Sequence, residues 1–266
     1  MRWPQDATGW PMAEHSRFKL SRPHWWHIQE AGKGRTLLLL HGAGGATQSW
    51  RGLFPLLAKD HHVIAVDLPG QGFSQSGARH RLGLTPMAQD LATLIASEDW
   101  QIDTIIGHSA GVALALELGK PDQKIIGING ALSTFKGVAG FLFPKMAKLL
   151  AATPFTADIF SATASSRENV ARLIENTGST LEPEELAFYQ RLVKDRTHVD
   201  GTLAMMAQWD LDPLLDGAND RAVPPETSRN AVQKLPHAEF ELIPKLGHLM
   251  HEEDPQLIAD RINAFL

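Results

Sequence analysis

Residues 102–118 read IDTIIGHSAGVALALEL. An apolar run at 102–106 passes into Gly107-His108-Ser109-Ala110-Gly111, and 112–118 continue with helix-compatible spacing. Strand, sharp turn and helix in that order give a Gly-x-Ser-x-Gly match its chemical meaning, because such a turn lifts a hydroxyl above the end of a sheet. The glycines two residues to either side of Ser109 fit a bend so tight that a Cβ at either place would strike the adjacent strand or helix. Ser109 is therefore the candidate nucleophile of a serine hydrolase. The bland alternative is a glycine-rich turn without chemistry.

Outward from this segment, strands and helices alternate. Residues 25–29 and 37–40 read as strands separated by Gly32-Lys33-Gly34, which predicts a hairpin leading into a buried central strand. Residues 62–66 and 124–128 read as further buried strands. Between them, 47–58 and 87–96 carry apolar residues at helical spacing. The alternation predicts an α/β fold with a mostly parallel sheet covered on both faces. It stops after 128. From 133 to 212 only helical patterns are found, at 138–151, 166–176, 182–194 and 200–208. A strand is expected again at 240–243 and a closing amphipathic helix at 256–266. The expected organisation is a core made of 1–132 and 213–266, with 133–212 inserted as a helical lid.

Bulk composition bounds the function. With 266 residues, 43% of them hydrophobic, the chain can bury a large core, and a net charge of -5 leaves no electrostatic footprint for nucleic acid. The absence of cysteine excludes disulfides and thiolate chemistry. No apolar stretch reaches the roughly 18 residues of a membrane span, and residues 1–15 lack the apolar segment of a signal peptide. A cytoplasmic protein is expected.

Three further pieces fit acyl chemistry. His41-Gly42-Ala43-Gly44-Gly45 follows the strand at 37–40, and its small residues allow backbone N–H groups close to a substrate. The amides of Ala43 and Ala110 are the candidate oxyanion hole, since a tetrahedral intermediate needs two preorganised donors. A simple tight turn is the alternative for this loop. His248, in a loop after the strand at 240–243, is the candidate general base, with neighbouring His251 capping or lining the site. Asp220 precedes it and completes the order Ser, Asp, His; it would orient the imidazole. Asp67, in the turn Asp67-Leu68-Pro69-Gly70, reads as structural. No metal or organic cofactor is called for.

The alternation, the serine motif and the late helical insertion together resemble the α/β-hydrolase architecture, with an eight-stranded sheet. Some relatives carry the acid at the end of the strand 124–128, where this chain has Asn129. With serine rather than aspartate at the bend, haloalkane dehalogenase and epoxide hydrolase chemistry is disfavoured. A closer resemblance rests on Trp26-His27-Ile28-Gln29, Asn129-Gly130-Ala131-Leu132, Phe143-Pro144-Lys145-Met146, Thr177-Gly178-Ser179, Met205-Met206-Ala207-Gln208-Trp209 and Gly247-His248-Leu249-Met250-His251. These are similar to the magnesium chelatase accessory proteins of bacteriochlorophyll biosynthesis. The resemblance implies a hydrolase-like protein acting near magnesium insertion into protoporphyrin IX, with a magnesium chelatase subunit as a partner. In that family a helix and a buried strand precede the Gly-x-x-Asp turn. Here only Leu214 and Leu215 remain for the strand, short by about a dozen residues. Either the strand is truncated or a segment is absent from the sequence.

The lid bears on the substrate. Phe143, Met146, Met205, Met206 and Trp209, if they face the site together with His41, Gly42, His108 and Leu249, would line a wide apolar pocket suited to a small apolar ester or a flat tetrapyrrole. They could equally pack the lid onto the core. Lys145 and Lys148 beside this face permit a peripheral membrane-surface contact, or are a solvated helix face. Two functions follow: an esterase-like enzyme, or a non-catalytic accessory protein that binds a porphyrin or a chelatase subunit.

Overall fold

The computed structural model describes residues 1–120, 123–131, 156–209 and 238–266. Among these, six strands form one sheet: β1 (Ser16–Ser21), β2 (His24–Ala31), β3 (Thr36–Leu40), β4 (His62–Val66), β5 (Thr104–His108) and β6 (Lys124–Ile128), in the order β1-β2-β4-β3-β5-β6. β3 pairs parallel with β4 and β5, and β5 parallel with β6, whereas β2 is antiparallel to β1 and β4. The sheet is therefore mostly parallel, and all of β3 is buried. Its leucines alternate between two cores. Leu38 and Leu40 face the layer of α2 (Leu84–Ser97) and α3 (Ala110–Leu118); Leu37 and Leu39 face α1 (Leu53–Leu57) and the C-terminal helix.

Four helices are described within the segment expected as a lid: α4 (Thr156–Ala164), α5 (Arg167–Asn176), α6 (Pro183–Lys194) and α7 (Arg196–Gln208). Three start at side-chain caps that the chain supplies locally. Ser166 accepts from Asn169 N–H, Asp195 from His198 N–H, and Glu182 forms a capping box with Glu185. Short α8 (Met250–Glu253) and α9 (Pro255–Phe265) follow, the latter capped by Asp254 with Pro255 in its first turn. None of the described helices is long and apolar enough to cross a membrane.

Three sequence expectations need correction. The hairpin joins β1 to β2, not β2 to β3: β3 lies on the far side of β4, so the chain must cross. Gly32 and Gly34 serve that crossing, with φ of 81° and 116° and no room for a Cβ against the carbonyl oxygens of Ala58 and Asp60. β5 starts two residues later than expected and runs through Gly107 and His108, which pair with Gly127 and Ile128. Residues 240–243 form no strand, since no described strand lies beside them to complete a ladder; six of the eight expected strands are seen among the described residues.

Candidate active site

Ser109 stands at the junction of β5 and α3 with φ 51° and ψ -117°, a conformation that L residues rarely adopt. Its backbone is pinned on both sides. The N–H donates to the Ile128 carbonyl at 2.9 Å, and the carbonyl accepts from Val112 and Ala131 at 3.1 Å each. A Cβ on Gly107 would lie 2.5 Å from the Gly111 carbonyl carbon, and one on Gly111 would overlap the Leu40 carbonyl. Both glycines are thus demanded by close backbone approach. Ser109 is half-buried while His108 and Ala110 beside it are buried, so the bend exposes the serine selectively.

The loop after β3 reaches this bend. A Cβ on Gly42 would come within 3.0 Å of the Ser109 Cβ. The buried ring of His41 accepts from Leu68 N–H through Nε2 at 2.9 Å, which leaves its proton on Nδ1 to donate to the Gly42 carbonyl at 2.8 Å. Gly45 N–H donates to the same carbonyl at 3.0 Å. In a trans peptide the N–H points opposite to the C=O, so fixing the Gly42 carbonyl also aims the amide of Ala43. No described residue accepts a hydrogen bond from the amides of Ala43 or Ala110. Burial holds the His41 pKa below the usual imidazole value, consistent with a neutral orienting group.

His248 is buried in the loop before α8. That loop is tied to the serine motif: His108 Nε2 donates to the His248 carbonyl at 2.9 Å, and the two rings lie 4.9 Å apart. Asn129, with φ 48° at the end of β6, donates its amide to the Gly247 carbonyl at 3.3 Å, a bond that a carboxylate there could not donate. The segment between α5 and α6 also contacts this loop. Leu249 N–H donates to Ser179 Oγ at 2.7 Å, and a Cβ on Gly247 would meet the Gly178 backbone. His251 is fully buried between the rings of Trp50 and His108, at 4.8 and 4.3 Å. Burial, followed by Arg51 and His248, lowers its pKa to about 3; burial, then His251 and His248, also holds His108 well below the usual range.

Asp220, Phe143 and Met146 lie outside the described residues, as do Lys145, Lys148 and the shortened segment at 210–217. Met205 and Trp209 are buried in the core cluster that contains Met87 and Leu91, with Met205 Sδ accepting from Gln71 and the Trp209 indole donating to the Leu82 carbonyl. Met206 is half-buried and Leu249 packs in one cluster with Val170 and Ile174 of α5. No group of described residues could hold a metal ion. Asp67 has the structural setting expected of it: it is fully buried and accepts from His27 Nδ1, Thr47 N–H and Phe73 N–H. Burial pushes its carboxyl up, but His27, His41 and the Phe73 amide outweigh that and hold it below the ordinary value. His27 also contacts Ser16 Oγ at 3.0 Å, which puts a serine, a histidine and an aspartate in a row. Ser16 opens a strand and also accepts from Gln29, so it has neither the bend nor the free amides of Ser109. Gln71, Ser179 and His198 carry no signal in the sequence for these contacts, and Asn129 reads there only as a missing acid; their partners are distant in sequence and are met only through folding.

Residues 37–261 match the model of a family described as the alpha/beta hydrolase family. A curated relative, the magnesium-chelatase 30 kDa subunit of Rhodobacter capsulatus, is 42% identical over 262 residues, which covers 92% of each chain. Among solved structures, an alpha/beta hydrolase fold protein from Burkholderia ambifaria has a TM-score of 0.71 at 20% identity, covering 93% of this chain and 99% of its own. Epoxide hydrolase A from Mycobacterium thermoresistibile has a TM-score of 0.72 at 19% identity, with 94% and 97% covered. At such identities the structures speak for the fold alone.

Proposed function

Because the chain belongs to the alpha/beta hydrolase family, we propose that it is a serine hydrolase acting on an ester or related acyl bond. Ser109 attacks the carbonyl, His248 takes the proton and returns it to the leaving group, and water resolves the acyl-enzyme. Asp220 orients His248. The amides of Ala43 and Ala110 receive the developing oxyanion. The observation that carries this reading is the backbone of Ser109, held at positive φ by three hydrogen bonds and half exposed among buried neighbours. Such a strained exposed serine has no structural use that a glycine would not serve better.

The relative's name extends the proposal to biology. A protein 42% identical to a magnesium-chelatase subunit fits an accessory role in magnesium insertion into protoporphyrin IX, with a chelatase subunit as partner and an apolar ester or tetrapyrrole as ligand. The same relationship favours a second reading in which the protein binds porphyrin or chelatase without catalysis. One experiment separates them. Ser109→Ala is expected to lose turnover of a short-chain ester and labelling by a fluorophosphonate, whereas Ser16→Ala keeps both. If labelling persists in Ser109→Ala, the nucleophile is misassigned; if that variant fully supports magnesium insertion, catalysis is not its role there.

A further inference from the structure

We infer that His198, delivered by lid helix α7, is a positioning residue for the loop that presents the Ala43 amide; this rests on the hydrolase reading above. Both backbone groups of Gly44 are held by side chains. Its N–H donates to Gln71 Oε1 at 2.9 Å, and its carbonyl lies 3.2 Å from His198 Nε2. Gly72 N–H donates to His198 Nδ1 at 3.0 Å, so the imidazole proton is on Nε2 and is given to Gly44. His198 thus joins the turn at 70–72 to the loop at 42–45 through one neutral ring. It is 3% exposed, so neither bond competes with bulk water.

The rest of α7 is built for the same contact. His198, Thr202 and Met205 recur at the spacing of one helix face, and all three touch this assembly. Thr202 Oγ1 donates to Gln71 Oε1 at 3.3 Å, and Gln71 Nε2 donates to Met205 Sδ at 3.2 Å. Gly201, on the same face, meets the Gly70 backbone so closely that any Cβ would overlap the Gly70 carbonyl oxygen. The lid therefore supplies the clamp that fixes the peptide next to the oxyanion donor. Loss of the clamp frees that peptide to rotate away from the geometry the transition state needs.

The test is a set of three variants on a short-chain ester, read together with amide hydrogen exchange of residues 41–46. His198→Ala is expected to lower kcat about 10- to 100-fold with KM changed less than about twofold. Exchange of the loop is expected to quicken about tenfold or more. His198→Gln, whose amide reaches the Nε2 position, is expected to recover both. His198→Asn, which reaches only Gly72, is expected to recover neither. The inference is overturned if His198→Ala keeps wild-type kcat and exchange, or if the kcat losses follow melting temperature regardless of side-chain reach. A wild-type protein without Ser109-dependent turnover overturns the hydrolase reading instead, and the exchange comparison still decides whether His198 holds the loop.

Discussion

At Ser109 backbone strain is visible in one dihedral pair. A non-glycine residue at φ 51° and ψ -117° stores about 1–3 kcal/mol, which persists only because the flanking hydrogen bonds over-determine it. Glycine at this place relieves the strain, whereas alanine keeps it. Ser109→Gly is therefore expected to be more stable than Ser109→Ala by about 1 kcal/mol, after its larger unfolded-state entropy is allowed for. Thermal melts of the two variants check this. A Ser109→Gly protein that melts below Ser109→Ala would show that the bend is unstrained. The bend at Ser109 was legible because its signal is local, with the glycines and the serine adjacent in sequence between β5 and α3. His198 was not, because its partners Gly44 and Gly72 are more than a hundred residues away and nothing near it departs from an ordinary helix.

Elements were legible where one period dominated. Past their first residues, Thr36 and His62, β3 and β4 are unbroken apolar runs, and α5 and α6 begin within a residue of the predicted starts because Ser166 and Glu182 cap them. β1 was not: most of its residues are half-buried with Leu20 exposed, so no apolar run marks it, and the crossing at Gly32 and Gly34 carries the same glycines as a hairpin. The contact of α6 with α8 was likewise hidden. Arg51 there pairs with Glu252 and, at 2.6 Å, with Glu185, while the Tyr189 hydroxyl donates to Glu252. Burial pushes the Glu252 pKa up to about 6 despite Arg51. Arg51→Met leaves that carboxylate without its cation, so a loss on the order of 3 kcal/mol is expected at pH 7.5. The loss shrinks at pH 5, where Glu252 takes up a proton instead. Urea unfolding at the two pH values checks this, and an equal loss at both would remove Glu252 from the account.

Across the whole molecule, the buried interior encloses imidazoles that stay neutral. Burial lowers His41 and His108, His198 reaches about 4 and His251 about 3. In the unfolded chain these groups bind a proton near pH 6.5. Between pH 6.5 and 4 the unfolded state therefore holds more protons, and stability must fall as the solution is acidified. At pH 5 the deficit from His198 and His251 is roughly 2 kcal/mol each, set against an opposite contribution from Glu252 of roughly 1 kcal/mol. The unfolding free energy is expected to be lower at pH 5 than at pH 7.5 by about 3 kcal/mol or more. His251→Phe supplies the internal control. The ring of His251 lies tilted against those of Trp50 and His108 and makes no hydrogen bond among the described residues, so phenylalanine keeps the packing and removes the titration. That variant should show a flatter dependence on pH, by about 2 kcal/mol over the same interval. An unchanged slope would mean that His251 is already protonated in the folded protein, and that the neutral cluster behind the serine motif does not exist.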